Sequence, residues 1–189
     1  MFRKAAIGLW VCVILCGLAA YFVWPEFFRP ENIAELLRTH QNKALLIYLL
    51  VSIARGFTLL PSAPLVLAGT LLYPTQPILV LAISLIGIVI SSSMIYWFSD
   101  LLGFDEYFES KKPKHVQKIR SKLEHPFGLG FVCLWAFFPL VPTDAVCYVA
   151  GTIRMNFAKF IGAVFIGELV LCSIYVFASG RIFGTLLFA

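Results

Sequence analysis

Residues 54–73 read ARGFTLLPSAPLVLAGTLLY, and the fold turns on how this stretch is read. It sets Arg55, two prolines three apart (Pro61 and Pro64) and Gly69 in strongly apolar surroundings. Proline removes an amide donor and clashes with the preceding helical turn. In hydrocarbon no water takes up the freed carbonyls, so broken backbone persists only where protein or a wet cavity surrounds it. A guanidinium at the centre of a membrane helix costs roughly 2.5–3.5 kcal/mol to insert. The stretch predicts a helix that enters a membrane, breaks at the prolines and leaves on the same side.

A second stretch has the same design. Residues 135–152 read WAFFPLVPTDAVCYVAGT, again with prolines three apart (Pro139 and Pro142) and again ending in Ala-Gly-Thr, here Ala150, Gly151 and Thr152 against Ala68, Gly69 and Thr70. Each Ala-Gly-Thr leads into an apolar run that reaches Ile-Tyr-x-Phe: Ile95, Tyr96 and Phe98 in the first half, Ile174, Tyr175 and Phe177 in the second. A broken hairpin followed by a full span therefore occurs twice. Paired broken segments in corresponding positions point to a transporter-like site at the repeat interface.

Composition sets the class. The 189 residues are 60% hydrophobic and 13% charged, with a mean hydropathy of +0.90, which describes a polytopic all-α membrane protein. The hydrophilic stretch 100–126 is too short to bury a core of its own. A net charge of +5 raises nucleic acid as a partner. The basic residues cluster in one loop, however, which fits membrane orientation and anionic lipid instead. Cys12, Cys16, Cys133, Cys147 and Cys172 all lie in apolar segments without CxxC spacing, so they read as small hydrophobes, with neither metal nor disulfide expected.

Along the chain, 5–24 reads as an N-terminal span, uncleaved because Tyr21, Phe22 and Trp24 stand where a signal peptide has small residues. Residues 25–43 form an interfacial segment with a short helix starting at Pro30 and an apolar face of Ile33, Leu36 and Leu37. The first re-entrant hairpin takes 44–73 and a full span takes 77–99, where Gly87 and Ser91 to Ser93 offer small-residue packing. The basic loop 100–126 carries Lys111, Lys112, Lys114, Lys118, Arg120 and Lys122, with Val116, Ile119 and Leu123 at helical spacing. It reads either as a helix on an anionic leaflet or as a solvated charged helix, and His115 and His125 read as loop residues. The second re-entrant hairpin takes 127–152 and the last span 156–179, with Gly162 and Gly167 on its packing side.

Counting Lys and Arg outside the hairpins, an inner N-terminus puts ten on the inside and four (Arg29, Arg38, Lys43 and Arg181) on the outside. That bias predicts a cytoplasmic N-terminus, and the membrane expected is a bacterial cytoplasmic (inner) membrane. One full span separates the hairpins, so they enter from opposite faces and form an inverted repeat.

These residues resemble the DedA/VTT superfamily of "SNARE-associated" membrane proteins, closest to its Tvp-type branch, over most of 44–180. Arg55, Pro61 and Gly69 fall at the family's first-half Arg, Pro break and Ala-Gly. The second-half pattern R-x-x-P-x-x-P-x-D-x-x-N-Y-x-x-G is matched at Pro139, Pro142, Asp144, Tyr148 and Gly151. Ala136 stands in place of its arginine and Cys147 in place of its asparagine. The resemblance implies paired re-entrant hairpins, an inverted repeat, and movement of phospholipids or polyprenyl-phosphate carriers between leaflets.

Intramembrane charges are functional hypotheses by default, and there are three here, Arg55, Asp144 and Glu168, with Asp100 at a span end. Arg55 suits a lipid phosphate, while Asp144 and Glu168 are candidates for proton coupling or gating. The alternative is that Arg55 simply pairs with one of the carboxylates to staple the hairpins together. Pro61, Pro64, Pro139 and Pro142 would keep the backbone open, with Gly69 and Gly151 letting the arms pack closely. No nucleophile–base pair, phosphate loop or metal-ligand spacing appears, so neither an enzyme nor a cofactor is expected. The function classes left are an anionic-lipid translocase, an ion or small-solute transporter, and a non-transporting membrane-organising protein. An arginine placed at Ala136 is expected to strengthen the grip on an anionic headgroup.

Overall fold

A computed structural model of the chain describes residues 2–40, 43–101, 113–139 and 141–187. Lys111 and Lys112 of the basic loop, and the side chains of Asp100, His115 and Arg181, lie outside the described residues. All regular structure among the described residues is helical. Helix α1 (Phe2–Val23) leads through a 3-10 turn (Pro25–Phe28) into α2 (Pro30–Arg38). Next come α3 (Ala44–Arg55), a second 3-10 turn (Gly56–Thr58), α4 (Ala63–Leu72) and α5 (Pro77–Leu101). The rest is α6 (Pro113–Glu124), α7 (Pro126–Phe137), α8 (Thr143–Thr152) and α9 (Phe157–Leu187).

Two of these helices are long and apolar enough to cross a membrane, over Pro77–Ser99 and Phe157–Ser179, and each buries only 44% of its most apolar window. The core helix of a soluble protein would bury most of such a stretch. Here Ile86, Ile90, Met94 and Trp97 of α5, and Phe165, Ile166, Val170 and Ile174 of α9, face outward. A continuous apolar exterior of this kind needs lipid rather than water beside it. The last helix runs on through Gly180 to Leu187, past the end expected at residue 179. One interior glycine costs a helix only about 1 kcal/mol, too little to stop it.

The two halves are assembled from the same parts and exchange partners. The first arm of each broken pair packs on its own long helix, α3 on α5 and α7 on α9, while the second arm packs on the long helix of the other half, α4 on α9 and α8 on α5. The repeated residues make these crossings. A Cβ on Gly151 would lie 2.0 Å from Ser99 Oγ and 2.3 Å from the Tyr96 carbonyl. In the reciprocal place Ser179 Oγ donates to Thr70 Oγ1 at 3.3 Å. Each Ala-Gly-Thr thus meets the serine just beyond the Ile-Tyr-x-Phe of the other half. Gly69 is the tight point within the first half, where a Cβ would lie 2.8 Å from Tyr48 Oη and 2.9 Å from Val80.

Three details of packing differ from the sequence reading. The buried side of α2 is Ala34 and Leu37, with Ile33 packed beside Leu37, while Leu36 points out at 65% exposure. Helix α2 is also docked on α4, since Arg38 Nη2 donates to the Leu71 carbonyl at 2.8 Å, meeting an orphan acceptor in the last turn of that helix. Gly162 faces open space, whereas Gly167 is the close approach between α9 and α7: a Cβ there would lie 2.3 Å from the Cys133 carbonyl.

Helix α1 lies against the first break and reaches α8. Its Gly17 sits against Thr58, at 3.0 Å from a built Cβ. Seven residues earlier, Trp10 Nε1 donates to Tyr148 Oη of α8 at 2.6 Å. Its other faces, including Leu9, Leu15, Phe22 and Val23, are exposed.

Candidate functional site

The proline pairs divide their work. In the first half Pro61 lies in the break, whereas Pro64 already sits in the first turn of α4, where a missing amide hydrogen costs nothing. In the second half Pro139 lies in the break and Pro142 caps α8 from outside the helix. Extended backbone at Phe138 (φ −80°, ψ 116°) is what a residue before proline adopts. The first break also carries Leu59 in the left-handed region (φ 58°, ψ 23°), a conformation non-glycine residues seldom take without a surrounding structure to hold it.

Arg55 holds it. The last residue of α3, it donates from Nη1 to the Leu60 carbonyl at 2.7 Å, while its own carbonyl accepts from Thr58 Oγ1 at 2.6 Å. The same Nη1 reaches across to Asp144 Oδ2 at 3.1 Å. Asp144 lies in the first turn of α8, where the helix dipole favours a carboxylate, and only 1% of it is exposed. The ion pair therefore ties the break between α3 and α4 to the start of α8.

Glu168, midway along α9 and fully buried, takes a different partner. Its Oε1 accepts from Thr143 Oγ1 at 2.5 Å, and Cys172 Sγ lies 3.8 Å from Oε2. Thr143 and Asp144 are adjacent, so the two carboxyl groups converge on the start of α8 from different helices, with one guanidinium between the halves. Cys147 donates to the Thr143 carbonyl at 3.3 Å and is fully buried, a helix-internal partner for the side chain that replaces the motif's asparagine.

Sequence reasoning passed over Gly56 and read Ser91 only as small-residue packing. Gly56 lets the end of α3 come up against α5: a Cβ there would lie 1.9 Å from Ser91 Oγ and 3.0 Å from Asp144 Oδ1. Ser91, fully buried, has the one buried side-chain oxygen without a hydrogen-bond partner among the described residues. The glycine directly after the buried arginine was the available signal, since backbone and α5 meet where only a hydrogen fits. Ala136 is fully buried, and a Cβ on Gly167 would lie only 2.8 Å from its own Cβ. The site therefore has no place for an arginine at 136, against the expectation that one would strengthen it.

A family model described as the VTT domain matches residues 60–181, well over half of the chain. Asp144 and Glu168 fall within the match and Arg55 just before it. Comparison with curated proteins and with solved structures returns no match.

Proposed function

Because the chain belongs to the VTT-domain, or DedA, family of membrane proteins, we propose that it moves an anionic lipid, a phospholipid or a polyprenyl phosphate, between leaflets. The observation that carries this reading is the buried Arg55–Asp144 pair at the meeting of two broken helices. In this reading the two broken pairs are re-entrant hairpins of an inverted repeat, entering from opposite faces. The N-terminus is cytoplasmic, α1 is a third span, and the membrane is a bacterial inner membrane. A charged headgroup crossing hydrocarbon needs a fixed counter-charge and polar backbone at mid-depth, and broken helices packed in protein supply both.

The division of labour follows from the partners. Arg55 carries a permanent charge and a planar fork of donors matched to phosphate oxygens. A phosphate that takes Arg55 leaves Asp144 without its cation, and a proton on Asp144 or Glu168 would restore neutrality. Proton coupling or gating is accordingly assigned to these two carboxyls. No chemical conversion of the lipid is part of the reading. The test is leaflet exchange in liposomes containing purified protein, with an anionic and a zwitterionic fluorescent lipid compared, and with and without a pH gradient. Faster exchange of the anionic lipid supports the proposal. Solute leakage without lipid exchange would favour a solute transporter, and neither would favour a membrane-organising role.

A further inference from the structure

Arg55 also forms part of the wall of a cavity of about 270 Å³ between the N-terminal elements and the first hairpin. Tyr21 of α1, Phe28 of the first 3-10 turn and Ile33 of α2 form one side, with Ala54, Arg55 and Pro61 on the other. The Tyr21 and Phe28 rings pack together with centroids 5.2 Å apart. The lining is almost wholly apolar, with Arg55 as its one charged residue. Its size is close to the lower end of the ~300–1,000 Å³ of small-ligand pockets, enough for part of a lipid rather than the whole.

The guanidinium is only half used. Arginine has five N–H donors, and the hydrogen bonds of Arg55 to Leu60 and Asp144 both leave from Nη1. Nε and Nη2 have no hydrogen-bond partner among the described residues. That Nε–Nη2 edge is the one that takes a phosphate or carboxylate side-on, with two parallel hydrogen bonds. On another flank of Arg55 a space of about 10 Å³ beside Tyr48, Ser52, Ser62 and Ser84 is no larger than one water. Of these two spaces beside Arg55, the apolar cavity is the one large enough for a chain.

We infer that this cavity seats an alkyl or isoprenoid chain whose phosphate lies on the Nε–Nη2 edge of Arg55, with α1 and α2 as the wall that holds the chain. The inference rests on the anionic-lipid reading above and adds to it a tail site built by the N-terminal elements. Charge complementarity selects the occupant: a neutral hydrocarbon would leave the donors of Arg55 unmet, and free phosphate would leave the apolar walls empty.

The probe is a hexadecyl phosphate with a diazirine near the chain end, photolysed with the protein in phosphatidylcholine nanodiscs and mapped by mass spectrometry. Cross-links are expected within residues 21–33 and 51–65. Unlabelled hexadecyl phosphate should suppress them at least roughly ten-fold more effectively than hexadecanol, the worth of a charge-assisted bidentate contact, and inorganic phosphate should not suppress them. Ala54→Phe, which fills the cavity from an exposed position, should cut labelling by a similar factor with the melting temperature unchanged. If it fails to fold, Ile33→Trp on the opposite wall replaces it. Equal suppression by hexadecanol, suppression by inorganic phosphate, or labelling untouched by a folded cavity-filling variant would overturn the inference. Leaflet exchange separates the two claims. Cross-links as expected without exchange would keep the site and sink the transport reading, whereas exchange unaffected by Ala54→Phe would keep transport and sink the site.

Discussion

Arg55 and Asp144 are 89 residues apart in the chain, yet Arg55 Nη1 lies 3.1 Å from Asp144 Oδ2, with 9% and 1% of the two residues exposed. Through the second Nη1 bond, to the Leu60 carbonyl, the contact between the halves and the shape of the first break depend on one guanidinium. Removing one partner of a buried pair strands the other charge, whereas removing both does not. Arg55→Gln should therefore lower stability by about 3–5 kcal/mol, and adding Asp144→Asn to it should recover a good part of the loss. Thermal unfolding of the single and double variants in detergent measures this. Additive losses would show that the two groups do not interact.

Gly56→Ala should destabilise by about 1–3 kcal/mol, the range for overpacking a filled site. Helical backbone at Gly56 (φ −57°) rules out conformational strain as the cause, leaving the clash with Ser91 Oγ. Adding Ser91→Ala removes that oxygen and should restore most of the stability. A double variant no better than Gly56→Ala would place the tight contact elsewhere.

Ala136→Arg should lose folded protein and gain no activity, costing more than the about 1–3 kcal/mol of a simple overpacked site because it also buries a charge. Folded yield and melting temperature decide this. A well-folded variant with faster anionic-lipid exchange would return Ala136 to the role sequence alone suggested.

The broken segments, the repeat and the arginine–carboxylate theme were legible because membranes make them expensive: prolines, a buried charge and Ala-Gly-Thr stand out against apolar runs. The reciprocal packing of Gly151 on Ser99 and of Thr70 with Ser179 was legible only as a recurrence, since sequence shows that two pieces are alike and not that they trade partners. Which carboxyl Arg55 would choose was open, because Asp144 and Glu168 have the same chemistry, and the choice follows from Thr143 Oγ1 occupying Glu168. Leu36 and Gly162 were misplaced for one reason. In a lipid-facing protein an apolar or small residue is as acceptable outside as inside, so hydrophobic pattern cannot orient a helix as it does in water.

Topology is tested with single cysteines at Thr75, Lys114 and Ala158, exposed in the turn before α5, on α6 and in the first turn of α9, in a background with the native cysteines replaced by alanine. Thr75→Cys should react with an impermeant maleimide from outside the cell, and Lys114→Cys and Ala158→Cys only after the membrane is opened. Labelling of Thr75 and Ala158 from the same side would contradict the inverted arrangement.

The central claim is that the Arg55–Asp144 junction carries an anionic headgroup across. Its most direct measurement is the exchange rate of a fluorescent anionic lipid in liposomes holding wild-type protein or the paired Arg55→Gln, Asp144→Asn variant, which keeps the junction neutral. The account predicts rapid exchange by the wild type and a fall of roughly ten-fold or more in the folded variant, the loss of at least one charge-assisted contact. Equal exchange by both proteins would contradict it.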